Sequence, residues 1–138
     1  MRPIFVLDAC SLIAFFNDET GADVVEKLLV KAWQNDIELI ISIINLLEIY
    51  YGIYREDGSD MADRTLQKIK SLPITIINTV SDEVFHESAQ LKAAYRISLA
   101  DAIALAEATV RAAHIVTADH HEFDILEKQS KVKILWIR

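Results

Sequence analysis

The feature that most limits what this chain can become is an alternation. Short apolar runs, rich in β-branched residues, are separated by longer segments with helical spacing. Ile4-Phe5-Val6-Leu7, the run from Ile37 to Ile41, Ile74-Thr75-Ile76-Ile77, His114-Ile115-Val116-Thr117 and the run from Val132 to Ile137 each read as a strand. The intervening segments read as helices. One runs through Leu12 to Phe16; the next is capped by Thr20 and runs to about Asn35, with Val24, Val25, Leu28, Leu29 and Ala32 as its apolar stripe. Ser42 caps a helix carrying Leu46 to Tyr51. The polar stretch Arg55 to Asp60 breaks that helix or leads into another ending near Ser71. Ser81 starts a helix to about Tyr95, Ser98 one to about Ala113, and a short one spans about Phe123 to Lys128. Buried strands joined by amphipathic helices require a parallel sheet covered on both faces, with right-handed crossovers.

With 138 residues, 52% of them hydrophobic, and few Gly or Pro, the chain fits one α/β domain over 1–138 with a real core and no disordered tract. The lone Cys10 excludes an internal disulfide and suits a reducing compartment. The start lacks the long apolar segment of a secretory signal. The most apolar stretch, Ile37 to Tyr54, is interrupted by Glu38, Asn45 and Glu48 and is no membrane span. The expectation is a cytoplasmic protein without membrane contact. A net charge of −7 repels phosphate backbones and argues against tight non-specific nucleic-acid binding. That objection weakens if bound cations neutralise several acids, if targets are few, or if a basic partner holds the chain.

In an open α/β sheet, ligands bind beyond the carboxyl ends of the strands. Asp8 and Asp119 fall there, after the first and fourth strands; Glu48 lies about two turns into the helix after the second, and Asp101 in the first turn of the helix before the fourth. Four carboxylates meeting at one edge would raise one another's pKa and strain the fold. Mg²⁺ or Mn²⁺, which prefer carboxylate and water oxygens, would relieve that strain and support phosphodiester chemistry.

Each acid also has a plainer reading. Ser98 and Asp101 have the spacing of a capping box, although Ala104 and Leu105 one turn on argue against an open solvated face for Asp101. Asn45, Glu48, Gly52 and Arg55 form a polar stripe that fits either a solvated face or a cleft wall, where Gly52 would admit a substrate or another backbone. Asp8 and Asp119 fit strand-ending or helix-capping aspartates. Thr117 is either an ordinary strand residue or a hydrogen-bond partner to the acids, and Asp124 an auxiliary acid or a surface one. His120 and His121 read as solvated turn residues. Trp33 and Trp136 read as core or interface, and Cys10 as a small buried residue near the site.

Taken together, these segments resemble the motifs of PIN domains. Val6-Leu7-Asp8-Ala9-Cys10-Ser11-Leu12-Ile13 is similar to the opening motif, Ser42 with Leu47-Glu48-Ile49-Tyr50-Tyr51-Gly52 to the second, Ser98-Leu99-Ala100-Asp101-Ala102 to the third and Val116-Thr117-Ala118-Asp119 to the last. The resemblance implies a three-layer α/β/α sandwich around a parallel sheet of four to five strands in the order 3-2-1-4-5. It further implies a Mg²⁺- or Mn²⁺-dependent endoribonuclease cutting single-stranded RNA, with Asp8, Glu48, Asp101 and Asp119 as the acids and Thr117 as the accompanying hydroxyl. Chains of this size resemble VapC-type toxins, which implies a homodimer and a cognate antitoxin. Cys10 departs from the Ser, Thr or Asn of many members.

Arg55 and Arg96 are candidates to meet the RNA backbone, each equally readable as a surface charge. Competing readings are a DNA nuclease or small phosphatase on the same acids, and a non-catalytic module that keeps only a latent cation site. A haloacid-dehalogenase-type phosphatase is disfavoured because Cys10 stands where a second Asp is needed. The absence of a glycine-rich turn after the first strand disfavours nucleotide-binding folds.

Overall fold

The computed structural model describes residues 1–129 and 132–138. Strands β1 (Ile4–Leu7), β2 (Glu38–Ser42), β3 (Thr75–Ile77), β4 (His114–Thr117) and β5 (Lys133–Trp136) form one parallel sheet in the order β3-β2-β1-β4-β5. Around it lie α1 (Ala9–Phe16), α2 (Ala22–Trp33), α3 (Ile43–Asp57), α4 (Ser59–Ser71), α5 (Asp82–Ala94), α6 (Leu99–Val110) and α7 (His120–Lys128). The architecture is the expected α/β/α sandwich.

The strands are apolar on both sides because each side meets a different helical layer. Val6 pairs in register with Ile40 and Ile115, and these three share a core with Val84, Leu91, Leu105, Phe123 and Leu126 from α5, α6 and α7. Leu7, one residue on, pairs with Ile41 and Val116 and packs with Leu12, Val25, Leu46, Ile49 and Ile69 from α1 to α4. The two-residue pleat thus sends alternate side chains to opposite layers. Each large aliphatic side chain so buried contributes about 1.5–3 kcal/mol.

Three boundaries differ from expectation for identifiable reasons; one is α7, which starts at His120 rather than about Phe123 because Asp119 caps it. Thr20 does not cap α2: the N-cap position is Gly21, at φ 99°, with no side-chain cap bond. A Cβ there would stand 2.6 Å from the Ile137 carbonyl oxygen, so only glycine fits where the end of β5 passes the start of α2. α6 stops at Val110 rather than near Ala113, as the Ala112 backbone turns to φ 52° and its N–H bonds the Thr109 carbonyl. Among the described residues no helix is long and apolar enough to cross a membrane.

The order of the strands fixes where ligands can sit. From β1 the chain winds outward to β2 and β3, then crosses back to β4 and β5 on the other side. The crevice lies between the carboxyl ends of β1 and β4, the point where the winding reverses.

Candidate metal centre

Asp8 leaves β1 at that crevice and caps α1. Its Oδ1 accepts the Ser11 N–H at 2.8 Å, and the Ser11 hydroxyl donates to the Asp8 carbonyl at 3.0 Å. Thr117, at the end of β4, donates its hydroxyl to Asp8 Oδ2 and accepts the Asp119 N–H at 3.0 Å. Asp119 in turn caps α7, its Oδ1 accepting the Glu122 N–H at 3.1 Å. Thr117 is thus a linker between two acids. It is fully buried, as Asp8 is.

Ser98 and Asp101 form half of a capping box. The Ser98 hydroxyl accepts the Asp101 N–H at 3.1 Å, but the Ser98 N–H donates to Glu122 Oε1, also at 3.1 Å. Asp101 is therefore not the acid that returns the cap bond. Oxygens of Asp101, Asp119 and Glu122 lie within 4.8 Å of one another. Glu122 was not legible in the sequence as a member of this group. The only sequence signal was its place three residues after Asp119, the spacing of a second capping pair.

Electrostatics bind Asp8 into the same group. Burial pushes its carboxyl up to about 6, against the hydrogen bonds from Thr117 and Ser11, and the Asp119 charge adds to the rise. Asp101 is pushed up to about 8, first by burial, then by the charge of Asp8; the Ser98 side chain opposes this, and Glu122 and Asp119 raise it further. Asp8 ionises first and then resists ionisation of its neighbour.

Glu48 stands differently. It is half-buried on α3, and burial alone raises its carboxyl, with no contribution from the other acids. Its stripe is graded. Asn45 is fully buried and donates from Nδ2 to the Ala100 carbonyl at 3.4 Å, tying α3 to the start of α6, while Arg55 at the far end is exposed. The stripe is a wall that emerges from the core. Among the described residues nothing lies within 4 Å of a Cβ built on Gly52, so none of them requires glycine there.

The remaining candidates are placed as follows. Asp124 is outside the acid cluster and pairs with His120 Nδ1 at 2.8 Å. His120 also reaches the Arg138 carbonyl through Nε2 at 3.0 Å and stacks on Trp136, with centroids 3.8 Å apart and planes 6° from parallel. His120 is a built contact rather than a free turn residue, while His121 is exposed. Arg55 pairs loosely with Glu56 and lies over the Tyr51 ring; Arg96 is exposed on the α5–α6 loop. Burial and the Asp8 charge push the half-exposed Cys10 thiol up to about 11, so it is no thiolate nucleophile at neutral pH. Trp33 is exposed on α2.

The donor set fits a hard divalent cation. The convergent groups supply oxygen only, and raised proton affinity marks carboxylates that lack a counter-charge. Zinc would call for His or Cys, and neither contributes to the cluster.

The sequence model of one family, described as the PIN domain, matches residues 5–129. Among curated proteins none matches the sequence. Solved structures do. A toxin–antitoxin complex from Klebsiella pneumoniae is similar at 20% identity and a TM-score of 0.68, over 96% of this chain and 97% of that one. DNA-bound VapBC from Salmonella typhimurium is similar at 18% identity and a TM-score of 0.77, over 100% of each chain. A Mycobacterium tuberculosis VapC, described as a sarcin-ricin loop cleaving toxin, is similar at 14% identity and a TM-score of 0.64, over 88% of this chain and 94% of that one. At these identities the likeness is one of fold.

Proposed function

The chain belongs to the PIN-domain family, and from that premise we propose that it is a Mg²⁺- or Mn²⁺-dependent endoribonuclease cutting single-stranded RNA, the toxin of a toxin–antitoxin pair. The observation that carries this reading is the convergence of Asp101, Asp119 and Glu122, with buried Asp8 beside them, at the crevice between β1 and β4. Two proteins of similar fold support it, one a toxin that cleaves the sarcin-ricin loop and the other a toxin–antitoxin complex.

Asp8, Asp101 and Asp119 hold the cation, with Glu122 beside them and Glu48 acting from the α3 wall. When bound, the ion supplies positive charge against the scissile phosphate and lowers the pKa of a water. The chain's own part is to orient the oxygens. The Thr117 hydroxyl and the Ser11 N–H fix the Asp8 carboxylate, and the Asp119 cap on α7 holds that acid toward Asp101. Glu122 fixes the turn before α6 through the Ser98 N–H. Holding these side chains in advance removes reorganisation from the chemical step. Arg55 and Arg96 meet the RNA backbone outside the acid cluster. Asp124 is kept as an auxiliary acid at the edge of the site, outside the cluster.

A cognate antitoxin fits the mostly apolar groove of about 260 Å³ between α1 and α3, lined by Ile13, Phe16, Ile49, Gly52 and Ile53 with Arg55 at its rim. A homodimer completes the reading, checked by light scattering of the purified chain. The deciding experiment offers single-stranded RNA, DNA flaps and a phosphomonoester to the protein with Mn²⁺ or with chelator, for wild type and Asp101→Asn. RNA cleavage that needs both the metal and Asp101 is expected. No cleavage by either protein, or cleavage indifferent to chelator, overturns the proposal.

A further inference from the structure

We propose that the stacked pair His120–Trp136 is a nucleobase platform beside the acid cluster, a subsite for one base of a single-stranded substrate; it rests on the ribonuclease reading above. His120 is the first residue of α7 and follows Asp119 directly, so its Cα is about 3.8 Å from that of a proposed metal-holding acid. A base seated on it belongs to the same strand as the nucleotide held at the acids.

The geometry limits what the imidazole can offer. One face lies flat on the Trp136 indole at 3.8 Å. Both ring nitrogens are engaged, Nδ1 with Asp124 and Nε2 with the Arg138 carbonyl. Trp136 is equally fixed: its Nε1 donates to Glu127 at 2.8 Å and its ring packs on the core. Yet the His120 side chain keeps 51% of its surface exposed. With one face on the indole and both ring nitrogens bonded, that exposure falls to the second π-face of a ring fixed at its edges. Such a surface stacks on any base and reads none by hydrogen bonding.

Asp124, the Arg138 carbonyl and Glu127 already accept from the N–H groups of the two rings, so the stack offers a flat face to a base and no free donor to a phosphate. A net charge of −7 gives this chain little long-range pull on RNA, so short-range stacking is a substitute source of affinity. The opposing interpretation gives His120 a purely structural task, tethering the residues after β5 through its ring edge.

Two substitutions separate these roles. His120→Phe keeps the flat face and removes both edge bonds; His120→Asn removes the face and keeps a polar edge. Binding is followed through Trp136 fluorescence in a Trp33→Phe, Asp101→Asn background. The probes are a short single-stranded oligoadenylate and an abasic chain of the same length. The expected result is about tenfold weaker oligoadenylate binding for His120→Asn, binding by His120→Phe close to that of the unchanged background, and little difference between them on the abasic chain. In the cleaving enzyme the loss falls on KM rather than kcat. Equal weakening by both substitutions, or an abasic chain bound as tightly as oligoadenylate, overturns the platform alone. A wild type that neither binds nor cuts RNA overturns the ribonuclease reading and the platform with it.

Discussion

Removing a charge from the crevice should make the metal-free protein more stable. Asp8 is 1% exposed, and its carboxyl is raised from 3.8 to about 6 chiefly by burial. A folded-state pKa above the unfolded one means that the native protein holds a proton the unfolded chain releases between those values. The stability this group contributes is therefore fully present below about 3.8 and is lost as the pH rises through about 6. Each tenfold difference in proton affinity is worth about 1.4 kcal/mol, so the ionised carboxylate costs about 3 kcal/mol above pH 7. Asp101 rises partly through the charge of Asp8 and shifts in the same direction, so Asp8→Asn relieves it too. An Asn can still accept the Ser11 N–H, which preserves the cap of α1. In chelator, the variant should match the wild type near pH 4 and exceed it by about 3 kcal/mol at pH 8. For a chain of this length that is about 10 °C in Tm. Millimolar Mn²⁺ at pH 8 should return about 2–3 kcal/mol to the wild type at a hundredfold excess over Kd, and little to the variant. The assay is thermal unfolding from pH 4 to 8, with and without metal. A difference between the two proteins that stays flat with pH, or favours the wild type more as pH rises, would refute the reasoning.

Thr117→Val leaves Asp8 Oδ2 and the Asp119 N–H without their partner; denaturant titration should show a loss of about 1–3 kcal/mol, and cleavage should fall with it. Glu122→Gln keeps an oxygen for the Ser98 N–H but removes a charge from the cluster, so calorimetry should show weaker Mn²⁺ uptake with the fold intact. Gly21→Ala combines a left-handed φ with a clash at 2.6 Å against the Ile137 carbonyl, and should cost at least about 1–2 kcal/mol in chemical denaturation. Cys10, its thiol raised to about 11, should react with iodoacetamide at pH 8 far more slowly than a free thiol, and faster in Asp8→Asn, where a charge opposing the thiolate is gone.

The sheet was legible because its signal is repeated. Each buried strand carries apolar residues on both faces, and an error at one boundary leaves the alternation intact. Asp8 and Asp119 were legible because a strand end is a local feature. Glu122 was not, because its role depends on the Ser98 N–H, and nothing in either segment states that α7 lies against the start of α6. The same holds for His120 and Trp136, which read as a turn residue and a core or interface one until β5 brings them face to face. The Ser98–Asp101 spacing was ambiguous for a physical reason: half a capping box and a whole one have identical sequences, and a third acid decided between them. Gly21 carried no local signal, since the constraint on it comes from Ile137 at the other end of the chain.

Pairing of the first strand with the fourth also has a consequence for biosynthesis. Asp8 leaves the ribosome before Asp101, Asp119 and Glu122, which follow only with α6 and α7. A nascent chain that has not yet released β4 has no partner for the open side of β1 and holds one acid of the cluster by itself. On the reading proposed above, metal-dependent cleavage is thereby withheld until β4 and the start of α7 have been made.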